Sequence, residues 1–177
     1  MTSDNKTPKV KLVAGILFNK EDFLIKSWSL LNKAFGAIDY KSKYFLFNET
    51  DYYDSEMGSS LQRCFISFKN LITPDLLADI KIMTNKIELE LAESGKRRVN
   101  IDSGYLDYDK VVLASVKYNG NKIYLNQGIW ADLTLHYQKG VYSPYPWSFP
   151  DFKKGSYNQV FLEIREIYKK QMKDVFR

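Results

Sequence analysis

Lys96-Arg97-Arg98-Val99-Asn100-Ile101-Asp102-Ser103-Gly104-Tyr105-Leu106 packs three cations, an amide and a carboxylate into its first seven residues. Val99 and Ile101 alternate with Arg98, Asn100 and Asp102, so one face of a strand here enters a core and the other presents a polar row. That pattern suits a ligand-facing strand and equally an ordinary half-exposed one. Just before it lies a helix signal: Thr73-Pro74-Asp75 combines an N-cap, a first-position proline and an acid. Leu76, Ile80, Met83, Ile87 and Leu91 follow as an apolar stripe, and Ser94-Gly95 ends the helix.

Upstream, Val10 to Phe18 (VKLVAGILF) is the near-continuous apolar run of a central strand covered on both faces. Asn19 reads as the N-cap of a helix with Glu21 and Asp22 in its first turn and Phe23, Leu24, Trp28, Leu31 and Phe35 on one face. Tyr44 to Phe47 reads as a second strand, Asn48 to Ser60 as a polar turn region, and Arg63 to Phe68 as a third strand. The order is then strand, helix, strand, strand, helix, strand. This is the split βαβ arrangement, an α+β class with a ferredoxin-like core.

Downstream, Lys110 to Lys117 fits either a short helix or a strand. Asn119-Gly120 is a two-residue hairpin signal, Lys122 to Leu125 and Ile129 to Tyr137 read as strands, and Lys139-Gly140 turns the chain again. Ser143 to Pro150 (SPYPWSFP) reads as a strap across the domain. Ser156 with Gln159 resembles a capping box. The last helix places Tyr157, Phe161, Ile164, Tyr168, Met172 and Val175 on one side. The expectation is a flexible tail over 1–8 and one domain over 9–177. Its ferredoxin-like core covers about 9–107, and an added β-hairpin or meander with a closing C-terminal helix covers about 108–175.

At 177 residues, 45% hydrophobic and 15% aromatic, the chain is long and apolar enough to bury a core. Cys64 is the only cysteine, so no intrachain disulfide or cysteine metal cluster forms. With no apolar leader and no run long enough to span a bilayer, the sequence reads as cytoplasmic, with no membrane partner. The net charge of +5 is concentrated: residues 153–177 carry seven cations against three acids. A general nucleic-acid footprint is therefore not indicated.

In the split βαβ order, three connections share one end of the sheet. They bring together Asn19 and Lys20, the acidic loop from Glu49 to Glu56, and Lys96 to Arg98. The functional reading is a site for a nucleotide or another phosphate-bearing small molecule. Arg97 and Arg98 clamp phosphates, Asp51 and Glu56 hold Mg2+ brought with the nucleotide, and Tyr52 stacks on a base. Arg63, Asn100 and Asp102 on the strands and His136, the sole histidine, complete the candidate ligand-binding set. The bland reading is a group of exposed ion pairs that tie loops together. No protein metal site is expected: one histidine excludes the usual zinc sets, and the spacing of Asp102, Asp107 and Asp109 is not an EF-hand. No nucleophile–base pair can be named, so catalysis is unassigned.

The competing classes are RNA binding and non-catalytic protein interaction. Phe65-Ile66-Ser67-Phe68 matches the second half of the RRM stacking strand, but Leu61-Gln62-Arg63-Cys64 lacks the glycine of the first half. A protein partner would use the proline-aromatic segment and the basic last helix.

Several phrases taken together, VKLVAGILF, TDYYDSEMG, KRRVNIDSGYL, VVLASVK and IYLNQGIWADLTLHY, resemble an uncharacterised prokaryotic family, domain of unknown function 4416. The resemblance runs from about Val10 to Met172, and Asn-Ile-Asp-x-Gly-Tyr-Leu is its most specific part. Ser103 stands where proline is expected, and Asn121-Lys122 where a His-Arg pair is more typical. Members are often labelled GTP-binding, so the resemblance implies GTP without supplying a mechanism. The chain has no Gly-Lys-Ser/Thr phosphate loop. Asn19-Lys20-Glu21-Asp22 spells the guanine-reading Asn-Lys-x-Asp, but it opens the first helix instead of following a phosphate loop.

Overall fold

The apolar run at the start of the chain forms β1 (Val10–Phe18), with all nine residues buried. A strand can hide both faces only if a layer covers each of them. Leu12, Ala14, Ile16 and Phe18 pack against Phe23, Leu24 and Leu31 of α1 (Glu21–Phe35) and Ile80 and Ile87 of α3 (Leu77–Glu90). On the opposite face Val13 joins Phe161, Ile164, Tyr168 and Met172 of α5 (Asn158–Val175). The computed structural model that gives this arrangement describes residues 7–175, with Asp51, Asp54 and Val175 described by their backbone alone.

Around β1 lies one antiparallel sheet of nine strands, built from β2 (Ile38–Lys41), β3 (Phe45–Phe47), β4 (Leu61–Ile72), β5 (Val99–Leu106), β6 (Lys110–Ser115), β7 (Ile123–Asn126), β8 (Ile129–Gln138) and β9 (Val141–Pro144). The spatial order is β2-β4-β1-β5-β6-β8-β7, with β3 on β4 and β9 on β8. Two single-turn helices, α2 (Asp54–Met57) and α4 (Pro150–Lys153), sit in connections. The class is α+β. No helix among the described residues is long and apolar enough to cross a membrane.

Of the helix and strand readings open for Lys110 to Lys117, residues 110–115 take the strand. Several local expectations are corrected. Asn119-Gly120 does not join a hairpin, because β8 lies between β6 and β7. The tight turn is Gln127-Gly128, both residues with positive φ as a type I′ turn requires. Lys139-Gly140 makes the same kind of turn between β8 and β9. Asn19 does not cap α1: its amide donates to the Met57 carbonyl and ties the loop before β4 to the end of β1. Gln159 donates to Glu163 within α5 (3.1 Å) and makes no capping box with Ser156. Of the stripe expected along α3, Ile80, Ile87 and Leu91 are buried, but Met83 and, in the turn before the helix, Leu76 are exposed, while Lys81, Thr84 and Glu88 are buried. Of the expected flexible tail, residues 1–6 lie outside the described residues.

The sheet parts in its middle. β5 and β6 pair only at Gly104↔Leu113, Tyr105↔Val112 and Leu106↔Val111. β5 runs back from this point without β6, while β6 continues along β8. Gly104 is the hinge of the parting, since a Cβ there would collide with the Val112 carbonyl and lie 2.7 Å from Leu113 Cδ2. Gly104→Ala is therefore expected to cost about 1–3 kcal/mol, as overpacking does in a rigid core. Urea unfolding checks this, and a midpoint equal to wild type would show that the two strands are not held this close.

Candidate functional site

Where β5 leaves β6, its edge needs hydrogen-bond partners, and α3 supplies them. Lys81 Nζ donates to the Ile101 carbonyl (2.7 Å), and the Ile101 N–H donates to Glu88 Oε1 (2.6 Å). Thr84 Oγ1 lies 3.3 Å from Ser103 Oγ. Lys81, Thr84 and Glu88 fall at i, i+3 and i+7, so one helical face carries all three. Burial pushes the Glu88 carboxyl above its ordinary range, against the pull of Lys81 and the Ile101 N–H.

The parting leaves a cavity of about 340 Å³ between α3, the free stretch of β5, and the β6–β7 connection. A second cavity of about 450 Å³ adjoins it, walled by Phe47, Thr50, Pro150 and Asp151. Tyr52, Tyr53, Asp102, Lys117 and Phe149 line both. The two are thus neighbouring parts of one cleft, with α3 walling the first and α4 the second.

A polar chain runs along its floor. Glu56 takes Arg97 in a fork, with Nε at 2.8 Å and Nη2 at 2.7 Å. Arg97 Nη1 donates to Asn100 Oδ1 (3.0 Å), and Asn100 Nδ2 donates to Asp102 Oδ1 (3.0 Å). Asp102 Oδ2 pairs with Arg63 Nη2 and Asp151 Oδ2 with Arg63 Nε, each at 3.3 Å. Tyr157 Oη closes the chain on Asp151 (3.1 Å). Arg63 reaches Asp102 from β4 by crossing β1 at Gly15, where a Cβ would sit 3.2 Å from Nη1 and 3.0 Å from the Phe65 ring. Its guanidinium also lies over Phe47, 5.1 Å from the ring centroid.

The convergence of loops expected from the topology is present. Asn19 meets Met57, and Arg97 meets Glu56. Tyr52, Arg63, Arg97, Asn100 and Asp102 line the cleft, and Glu56 stands behind Arg97. Arg98 turns away, pairing with Glu93 (3.2 Å) and lying over Phe23. His136 sits between Lys110 and Ser143 in the sheet, with its ring 5.0 Å from Tyr145, and lines neither cavity. The backbone of Asp51 is in a 3₁₀ turn with Tyr52 and Tyr53, but its side chain lies outside the described residues. Both Glu56 oxygens are engaged by Arg97, and no three His, Cys, Asp or Glu side chains among the described residues gather as metal ligands. Glu56, already forked on Arg97, does not fit a magnesium ligand. Phe65 and Phe68 are buried in the cores on opposite faces of the sheet, so they form no open stacking surface of the RRM kind.

Residue-by-residue reading missed Lys81, Glu88, Lys117, Lys122, Asp132 and Asp151. The polar i, i+3, i+7 set on α3 was a usable signal for the first two. Asp132 pairs with Lys122 (3.5 Å), its Oδ1 has no hydrogen-bond partner, and burial pushes its carboxyl above the ordinary range. At the mouth, Lys117 Nζ donates to Tyr52 Oη (2.9 Å) and lies 4.1 Å from the Tyr52 ring centroid.

The Arg97 fork holds Glu56 below its ordinary value of 4.5. A depressed carboxylate contributes stability that is present above the unfolded pKa and lost as pH falls through the folded one. The stability gap between wild type and Glu56→Gln should thus be widest near neutrality and shrink below about pH 4.5. Denaturant midpoints from about pH 7 to about pH 3 measure it, and a pH-independent gap would show that the fork does not hold the carboxylate ionised.

Neither a curated protein nor a solved structure matches the chain. One family model does, over residues 8–168, a span that includes every wall of the cleft. On that match the chain belongs to the family described as domain of unknown function (DUF4416).

Proposed function

We propose that the protein binds a nucleotide or another phosphate-bearing small molecule in the cleft between α3, β5 and the β6–β7 connection. The observation that carries this reading is Lys117. Its ammonium stands at the junction of the two cavities with the Tyr52 hydroxyl as its described hydrogen-bond partner, beside the exposed rings of Tyr52, Tyr118 and Phe149. A cation with no carboxylate partner among the described side chains, set among aromatic faces, suits a phosphate next to a planar ring. Arg97 is already forked on Glu56 and serves as a wall, while Lys117 takes the clamping part first expected of Arg97 and Arg98.

Guanine preference rests on the family resemblance alone, because Asn19-Lys20-Glu21-Asp22 lines neither cavity. Magnesium enters this reading only as a companion of the phosphates. The same proposal takes residues 9–107 as a ferredoxin-like core, supported by the β2-β4-β1-β5 order with α1 and α3 on one face. It places the protein in the cytoplasm, supported by a lone, buried cysteine. Against RNA binding of the RRM kind, Phe65 and Phe68 are buried on opposite faces of the sheet.

Thermal unfolding with GTP, ATP, GDP or tripolyphosphate, with and without magnesium, tests the proposal. A ligand at about 100 times its Kd adds about 2.7 kcal/mol, or roughly 5–11 °C for a chain of this size. Lys117→Ala should lose most of that shift while unfolding near the wild-type temperature without ligand. No shift with any of these compounds at millimolar concentration would sink the phosphate-ligand reading.

A further inference from the structure

The two halves of the cleft differ in kind. We propose that they hold the two ends of one bipartite ligand, a planar ring with N–H donors in the larger cavity and an anionic tail in the smaller. This assignment rests on the phosphate-ligand reading above and adds the ligand's chemical class and orientation.

In the larger cavity the walls are Phe47, Tyr52, Phe149 and Pro150, rings and apolar surface that favour a flat ring. Its own cation, Arg63, lies between Asp102 and Asp151 and is buried. A phosphate there would face two carboxylates across a guanidinium they already neutralise, an arrangement that disfavours anions. Lys154 takes one oxygen of Glu49, and Arg63 and Tyr157 take one of Asp151, so the second oxygen of each carboxylate is the acceptor that suits N–H groups on the edge of a ring.

The smaller cavity has the opposite bias. Lys81, Arg97 and Lys122 line it together with Lys117, against Glu88, Asp102 and Asp132. A ligand that spans both cavities passes Lys117 and Tyr52, which line each of them. Volumes of about 340 and 450 Å³ lie within the range of small-molecule sites. A nucleoside polyphosphate has this division of ring and charge.

Two exposed positions each belong to one cavity alone: Thr50 to the larger and Asn119 to the smaller. Calorimetric titration with the four ribonucleoside triphosphates and with inorganic tripolyphosphate separates the ends. Wild type should bind at least one nucleotide about tenfold more tightly than tripolyphosphate, the worth of one stacked ring. Thr50→Trp, which fills the ring cavity, should erase that advantage and leave tripolyphosphate affinity unchanged. Asn119→Glu should weaken both ligands about fivefold at low salt. The assignment is overturned if wild type binds nucleotides no more tightly than tripolyphosphate. It is also overturned if Thr50→Trp spares the nucleotide or weakens tripolyphosphate as much, or if Asn119→Glu leaves tripolyphosphate untouched. Wild type binding neither probe would instead remove the phosphate-ligand reading itself, and this assignment with it.

Discussion

The Ile101 peptide is the constraint on which the cleft depends. It lies on a buried strand edge that β6 has left, and a buried N–H or C=O without a partner costs about 1–3 kcal/mol. Glu88 and Lys81 satisfy both groups from α3. A helix that turns a carboxylate and an ammonium toward a sheet usually loses stability. Here the two side chains replace a missing strand, so the sheet can part beyond Gly104 without leaving its edge bare. The opening between β5 and β6 is therefore a built feature of the fold, and the smaller cavity occupies it.

The floor of the cleft follows the same logic of pairing. Arg63 is buried beneath aromatic rings, where an isolated charge would be untenable. It is held because Asp102 and Asp151 flank it and because Gly15 leaves a gap over β1 for the side chain to cross. Asn100 joins this group to the Arg97–Glu56 fork, so β4, β5, α4 and the loop before β4 are fixed relative to one another by one connected network. Such networks are weak arguments for stability but strong ones for geometry. Their effect here is to hold the cleft walls in place while leaving Lys117 and the exposed rings at the mouth uncommitted to the core.

How much of this was legible in the sequence depended on periodicity. VKLVAGILF read as a doubly covered strand and forms one, and the Tyr157 to Met172 stripe of the last helix packs as its spacing demands. The meeting of Glu56 with Arg97 followed from the order of elements. The apolar stripe read along α3 is buried at Ile80, Ile87 and Leu91, but Met83 and, just before the helix, Leu76 face solvent, and the polar Lys81, Thr84 and Glu88 face inward. The departure of β6 from β5 leaves no periodic trace, because it depends on two strands distant in sequence and on the missing Cβ of Gly104. Arg98 and His136 were attractive by residue type, yet Arg98 answers to Glu93 and Phe23, and His136 to the sheet around Tyr145. Asn119-Gly120 carried the right turn chemistry but the wrong partner, since β8 pairs where a local hairpin would have closed.

The central claim is that the parting of β5 from β6 makes the ligand site. A crystal structure of the protein grown with a nucleoside triphosphate and magnesium tests it most directly. The account predicts ligand density between Tyr52, Phe149 and Lys117, with the Ile101 peptide still held by Lys81 and Glu88. Density seated instead at Asn19-Lys20-Glu21-Asp22 or beside Arg98, with the cleft filled only by solvent, would contradict it.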